Sequence, residues 1–287
     1  MLTATPTWRS LFDDARRRLG SADDARRIVE RAAGGDGTWW HLSLDETAPE
    51  RAVGFVSDLV ARRAAGEPLQ YVVGRWGFRT LELYVDRRVL IPRPETEVVV
   101  EVALEELRAL VGGRPPVVAD LGTGSGAIAL SLAAEVPRAD VWATELLPDA
   151  LAVARANLAG MGGTAAPRVR LLEGSWFDPL PAELRGVIDL VVANPPYVAS
   201  HESLPREVAE WEPAAALIAG PTGLEAIVEI VEAAPTWLAR PGALVVEIAP
   251  HQAEAARATA TRAGFDAVDV RPDLAGRPRA VVARLGR

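Results

Sequence analysis

The sequence predicts an α/β protein: a doubly wound, mostly parallel seven-stranded sheet, preceded by a small N-terminal helical bundle and a linking β-hairpin. Two observations carry this. From Val117 onward, short apolar strand-like runs alternate with helix-like stretches, and repeated βα units build a mostly parallel sheet covered on both faces. Before residue 66 the apolar residues instead recur at helical spacing.

Taken in order, Trp8, Leu11, Phe12, Ala15 and Leu19 predict a first helix, with Arg16, Arg17 and Arg18 on its polar side. Residues 23–33 form a second amphipathic stretch closed by Gly34-Gly35, and Val53, Val56, Leu59 and Val60 mark a third running into Arg62-Arg63. Such a set suits a small bundle. Tyr71-Val72-Val73 and residues 81–85 flank residues 74–80, which predicts a β-hairpin. In Leu90-Ile91-Pro92-Arg93-Pro94-Glu95-Thr96-Glu97 the two prolines stop a strand, and Thr96 is expected to cap the next helix, with Val99, Val102, Leu107 and Leu110 on its buried side. Gly112-Gly113-Arg114-Pro115-Pro116 punctuates the chain. Strands are then expected at 117–121, 140–144, 168–172, 188–193, 243–248, 267–271 and 279–284, and helices at 127–135, 149–159, 223–239 and 252–264. The predicted divisions are a helical unit over 1–65, a hairpin linker over 66–94 and an α/β domain over 95–287.

The 287 residues are 49% hydrophobic and 24% charged, enough for a sizeable core with an ordinary globular balance. A net charge of −8 argues against gripping long stretches of phosphate backbone, though a local patch can still handle nucleic acid. There is no cysteine, hence no disulfide or thiolate chemistry, and His41, His201 and His251 lack ligand spacing, so no metal is expected. The first eighteen residues carry acids and arginines rather than an apolar run, and no stretch reaches transmembrane length. A cytoplasmic protein without a membrane partner is expected.

Two motifs carry chemistry. In Val117-Val118-Ala119-Asp120-Leu121-Gly122-Thr123-Gly124-Ser125-Gly126 a strand runs into a Gly-rich turn and then a helix, a nucleotide-binding arrangement that also satisfies the relaxed dinucleotide fingerprint. Glu145, about twenty residues on, can accept hydrogen bonds from the ribose hydroxyls of either NAD or S-adenosylmethionine. Three details favour the second. The glycines come every second residue, a tight turn with no pyrophosphate to cradle. Asp120 is an acid where a pyrophosphate site would not want one, but it can face a cationic amino group. Trp176, after the third strand, can lie against an adenine.

The second motif, Asn194-Pro195-Pro196-Tyr197, follows the apolar run Leu190-Val191-Val192-Ala193, which reads as a buried parallel strand, so it emerges where open α/β sheets bind ligands. Asn194 offers a carbonyl and an amide, the prolines aim their carbonyls in set directions, and Tyr197 adds a stacking face. Together they can hold a planar –NH2 group. A methyl donor on the first turn and this loop after the fourth strand are neighbours in the doubly wound order, as in-line transfer requires.

With these motifs the chain resembles the PrmC/HemK family, methyltransferases that modify the glutamine of the Gly-Gly-Gln motif in peptide-chain release factors on its side-chain amide nitrogen. The resemblance spans nearly the whole chain, through Arg62-Arg63-Ala64-Ala65-Gly66-Glu67-Pro68-Leu69-Gln70-Tyr71, the residues 89–97, Glu210-Trp211-Glu212-Pro213, Val246-Glu247-Ile248 with Gln252, and the residues 273–279. It implies a Rossmann-like class I methyltransferase fold, S-adenosyl-L-methionine as donor with S-adenosyl-L-homocysteine as product, and a release factor as protein substrate of a monomeric enzyme. By the same resemblance Asp120, Gly122, Thr123, Gly124, Ser125, Gly126, Glu145, Trp176 and Asn194 would bind the cofactor. Asn194, Pro195, Pro196 and Tyr197 would hold the glutamine amide, with Pro92, Arg93 and Glu95 at the rim; Arg93 would meet substrate carbonyls or pair with an acid. Three departures stand out: Ala219-Gly220-Pro221-Thr222-Gly223 lacks the family's acidic residue, Glu145 replaces a frequent aspartate, and Trp211 a tyrosine. Competing readings are a nucleic-acid amino methyltransferase with Tyr197 stacked on a flipped base, a non-catalytic cofactor-binding assembly factor, and an NAD-dependent oxidoreductase.

Overall fold

A computed structural model describes residues 5–35, 37–110, 114–163 and 165–286; the expected break at Gly112-Gly113 lies outside them. The chain forms two compact units, one running to Arg75 and including Pro205–Trp211, the other made of Trp76–Leu204 and Glu212–Arg287.

In the first unit the helices α1 (Trp8–Leu19), α2 (Ala22–Ala33), α3 (Gly37–Leu42), α4 (Glu50–Ala64) and α5 (Leu69–Val73) enclose a core containing Trp8, Ile28, Val29, Val56 and Leu59. Thr7 and Ser21 cap α1 and α2 through side-chain oxygens that accept from Ser10 and Asp24 N–H groups. Helix α3 was not foreseen because six residues show no periodicity; its Trp39 and Trp40 lie edge-on to Trp8 and Phe12 at 5.3 and 4.9 Å. The predicted hairpin needs correction. Tyr71-Val72-Val73 belong to α5, and the pairing strands are β1 (Arg75–Phe78) and β2 (Leu81–Tyr84). The β-branched valines favour a strand locally, but burial of Leu69, Tyr71, Val72 and Val73 in one short helix outweighs that preference. The short helix Arg206–Trp211 joins this unit, where Arg63 pairs with Asp24 at 2.6 Å and Glu207 at 2.8 Å.

In the second unit α6 (Pro94–Leu110) precedes β3 (Val117–Leu121), α7 (Ala127–Glu135), β4 (Asp140–Glu145), α8 (Pro148–Met161), β5 (Val169–Glu173) and β6 (Ile188–Ala193). After two short strands, β7 (Val198–Ala199) and β8 (Ile218–Gly220), come a helix at Glu225–Trp237, β9 (Leu238–Glu247), a helix at Ala253–Arg262, β10 (Ala267–Pro272) and β11 (Pro278–Leu285). The seven-stranded sheet has the order β10-β11-β9-β6-β3-β4-β5, with β9, β6, β3, β4 and β5 parallel and β11 antiparallel to both of its neighbours. The predicted sheet is thus present in full. The strand order reverses at β3 and β6, so a crevice opens outside their carboxyl ends. Burial of every residue of β6 explains why that segment reads as an unbroken apolar run, with Asp189 the one acid in it. Asp189 accepts from Val117 N–H and from the Arg114 guanidinium, which satisfies its buried charge at the opposite end of the sheet from the crevice. Residues 89–91 form no strand, and Thr96 does not cap a helix: α6 already begins at Pro94. Among the described residues no helix is long and apolar enough to cross a membrane.

Candidate active site

Sheet register decides what meets in the crevice. Leu121 of β3 pairs with Ala193 of β6, and Ala193 pairs with Val246 of β9. Gly122 and Asn194, just after β3 and β6, and Glu247, the last residue of β9, therefore lie side by side at three adjacent strand ends, about 5 Å apart per strand. On the other side Thr144 of β4 is opposite Leu121 and Glu145 opposite Glu173. A cavity of about 340 Å³ lies over these strand ends, and its wall includes Pro92, Gly122, Glu145, Trp176, Asn194 and Pro196.

The turn after β3 is held by backbone and carboxylate together. Gly122 and Thr123 N–H both donate to the Thr144 carbonyl at 2.9 Å, and Gly124 N–H donates to Glu145 at 2.8 Å. The second Glu145 oxygen accepts from Leu147 N–H at 3.0 Å. Each oxygen keeps a lone pair for a further donor on the cavity side. Gly122 has φ +72°, and a Cβ there would stand 3.1 Å from the Trp176 ring. The missing side chain lets the indole lie over the turn, which is what an aromatic placed to flank an adenine requires.

Asp120 is placed differently from the expectation. It lies beneath the turn, 1% exposed, and is not part of the cavity wall. One carboxylate oxygen accepts from the Thr123 hydroxyl at 2.6 Å and from Ala129 N–H at 3.0 Å; the other has no partner. Burial pushes this carboxyl up to about 7, because the charged form loses water and gains no cation. A raised folded-state pKa means that the folded protein holds the proton more tightly than the unfolded chain. Stability therefore falls as pH rises from the unfolded value of 3.8 to about 7, then levels off. Asp120→Asn keeps an acceptor oxygen and cannot ionise. Its melting temperature relative to the parent should rise between about pH 4 and about pH 7 and level off above that; a pH-independent difference would remove this account.

Asn194 closes the other side. Its Nδ2 donates to Thr96 Oγ1 at 3.1 Å, and Thr96 in turn donates to Glu247 at 2.7 Å. Thr96 stands in the first turn of α6, which packs over β6 and β9. The loop beyond is pinned by Gln252, whose Nε2 donates to the carbonyls of Tyr197 at 2.8 Å and Gly223 at 2.9 Å while its oxygen accepts from Ala249 N–H. Burial, with the Glu247 carboxylate next in weight, pushes the Tyr197 phenol up to about 12, so it stays neutral.

The remaining expected residues are distributed unevenly. Thr123, Gly124 and Ser125 share the wall with the six named above, whereas Gly126, Pro195 and Tyr197 do not line this cavity. Arg93 takes the second of its two predicted roles and pairs with the buried carboxylate of Glu212, which also accepts from Ile91 N–H at 3.2 Å. Glu95 accepts from Arg277 at 3.3 Å. Thr222, at the departure from the family pattern, donates from N–H and hydroxyl to Glu225 and closes a turn away from the cavity. Glu247 and Gln252 have no role that their sequence context by itself implies. Their signal was a polar residue at the end of the apolar run 243–246 and another shortly after it. No group of three or more His, Cys, Asp or Glu side chains is placed to hold a metal among the described residues.

Residues 10–74 match the family model described as PrmC N-terminal domain, and residues 100–211 match the one described as Methyltransferase small domain. A release factor glutamine methyltransferase of Cereibacter sphaeroides is 41% identical over 267 residues, which cover 92% of this chain and 91% of that protein. One from Bordetella pertussis is 42% identical, covering 88% of this chain and 91% of its own. Among solved structures, a methyltransferase from Pyrococcus furiosus superposes with a TM-score of 0.52 at 17% identity over 80% of this chain and 100% of its own, which bears on the fold alone.

Proposed function

The chain belongs to the release factor glutamine methyltransferase family, and from that premise we infer that it transfers a methyl group from S-adenosylmethionine to the side-chain amide nitrogen of the glutamine in the Gly-Gly-Gln motif of peptide-chain release factors. The observation that carries the site assignment is the register of Leu121 with Ala193, which sets the Gly-rich turn and Asn194 on neighbouring strand ends over one cavity.

The residues present fit a methionine-linked adenosine. Gly122 and Gly124 allow backbone approach, the spare lone pairs of Glu145 suit ribose hydroxyls, and Trp176 offers a face for the base. Asp120 supports the turn from below. When bound, the donor supplies an electrophilic sulfonium methyl group. A primary amide nitrogen is a weak nucleophile because its lone pair is delocalised. Asn194 Oδ1 and the Pro195 carbonyl accept its two N–H bonds, aim the nitrogen, and hold it more tightly as positive charge develops. No side chain acts as a general base in this reading; the proton leaves to water after transfer.

Mass spectrometry of a release factor incubated with the chain and isotopically labelled donor tests the assignment. One labelled methyl on the Gly-Gly-Gln glutamine is expected. Label on DNA or ribosomal RNA in parallel reactions would favour the nucleic-acid alternative instead. The first unit is read as the docking surface for the protein substrate, supported by the match of residues 10–74 to a family N-terminal domain. A chain lacking residues 1–65 should lose methylation of the intact factor yet keep its thermal stabilisation by the donor. Loss of both together would make that unit a structural support only.

A further inference from the structure

We propose that Thr96 and Glu247 are positioning residues that decide which end of the Asn194 side-chain amide faces the methyl acceptor. The proposal rests on the reading of Asn194 as the acceptor for the glutamine N–H, and it explains why that side chain presents oxygen rather than nitrogen.

Glu247 is 1% exposed and Thr96 4% exposed, so neither exchanges partners freely with water. Thr96 Oγ1 lies 2.7 Å from a Glu247 oxygen and 3.1 Å from Asn194 Nδ2. A hydroxyl has one hydrogen and two lone pairs, and an ionised carboxylate can only accept. The Thr96 hydrogen is therefore committed to Glu247. What Thr96 turns toward Asn194 is a lone pair, which only an N–H can satisfy. Asn194 must give its NH2 to Thr96, and Oδ1, the other arm of the planar amide, is left for the cavity that Asn194 lines. Without this chain the amide can turn over at little cost, because its two ends have nearly the same shape. Its NH2 would then meet the NH2 of the glutamine, donor against donor.

The position of the two residues is a consequence of the fold. Glu247 follows Val246, the β9 partner of Ala193, and so emerges beside Asn194. Thr96 reaches the same point from the first turn of α6 because Pro94 starts the helix there. The arrangement also has a built-in reversal. A proton on Glu247 would make it the donor to Thr96, Thr96 would donate to Asn194 Oδ1, and the NH2 would point outward. The charged and titratable groups around Glu247 are Arg279 from β11, Arg93 and Glu95 from the entry to α6, and Tyr197 from the loop after β6. Burial pushes Glu247 up to about 7; the Thr96 hydrogen bond, Arg279 and Arg93 oppose that, and Glu95 adds to it.

The test uses the full chain with saturating donor and either release factor or a peptide bearing Gly-Gly-Gln. Thr96→Val keeps the shape and removes the relay. Its kcat should fall by ~10-fold or more with donor affinity unchanged, and Thr96→Ser should restore most of it. Glu247→Gln keeps an acceptor for the Thr96 hydroxyl but cannot take up a proton. The parent rate should fall from about pH 8 to about pH 6, while that of Glu247→Gln should not fall with it. Packing alone would move neither the Ser rescue nor the pH profile. Parent-like kcat in Thr96→Val, or identical pH profiles for parent and Glu247→Gln, would overturn the proposal; the second comparison stands even if Thr96→Val does not fold. A parent chain that methylates no Gly-Gly-Gln substrate at any pH would instead overturn the functional reading beneath it.

Discussion

Replacing Asn194 by alanine should lower the rate of glutamine methylation by ~10²-fold or more, the loss associated with one hydrogen bond made in the transition state. The substitution removes the Oδ1 acceptor without disturbing what holds the loop. The backbone of residue 194 leaves β6 beside Gly122 whatever its side chain, and Gln252 continues to grip the Tyr197 carbonyl. The melting temperature should therefore change little, and stabilisation by the donor should persist. The one new cost is at Thr96, whose oxygen loses the Asn194 amide but keeps its bond to Glu247. Near-parental turnover at saturating donor would falsify the assignment of Asn194.

Gly223→Ala should damage both stability and rate. Gly223 has φ +78°, and a Cβ there would stand 2.6 Å from the Tyr197 carbonyl oxygen, 3.0 Å from Gln252 Nε2 and 3.1 Å from Ala199 N. None of these neighbours can give way cheaply. Two are backbone atoms, and the third is already committed to two carbonyls. The left-handed backbone adds strain of about 1–3 kcal/mol on its own. The segment most able to shift is the loop carrying Tyr197, so methylation should fall by ~10-fold or more, since small misplacement of an acceptor site is expensive. Thermal unfolding and a donor-saturated assay measure the two effects. An alanine variant with unchanged melting and unchanged turnover would mean that the loop is not held as described.

Much of the fold was legible because its signals are local. The strand Val117–Leu121, the helix Ala127–Glu135 and the strand Ile188–Ala193 match their expected bounds, since each is a compact apolar run closed by glycine, acid or proline. Where two local signals compete, residue type alone does not decide the outcome. Tyr71-Val72-Val73 has the composition of a strand, yet the segment is buried as a helix. Thr96 has the residue type of a cap, yet α6 starts two residues earlier and the hydroxyl is used across the sheet. The strands β7 and β8 are too short to carry any periodicity.

In the site the division follows the same physics. Gly122, Gly124, Glu145, Trp176 and Asn194 were recognisable because their chemistry follows from their own type and their place at a strand end, and all five share one wall. The pairing of Arg93 with Glu212 was open to either partner from sequence, 119 residues separating the two. The grip of Gln252 and the chain from Glu247 through Thr96 to Asn194 depend on residues 55, 98 and 151 positions apart. By itself the sequence determined the chemical groups available at each strand end, because backbone preference and residue type act over a few residues. Which of those groups meet, and which end of the Asn194 amide faces the cavity, only the tertiary structure decided, because sheet register and burial set donor against acceptor between segments that no local rule connects.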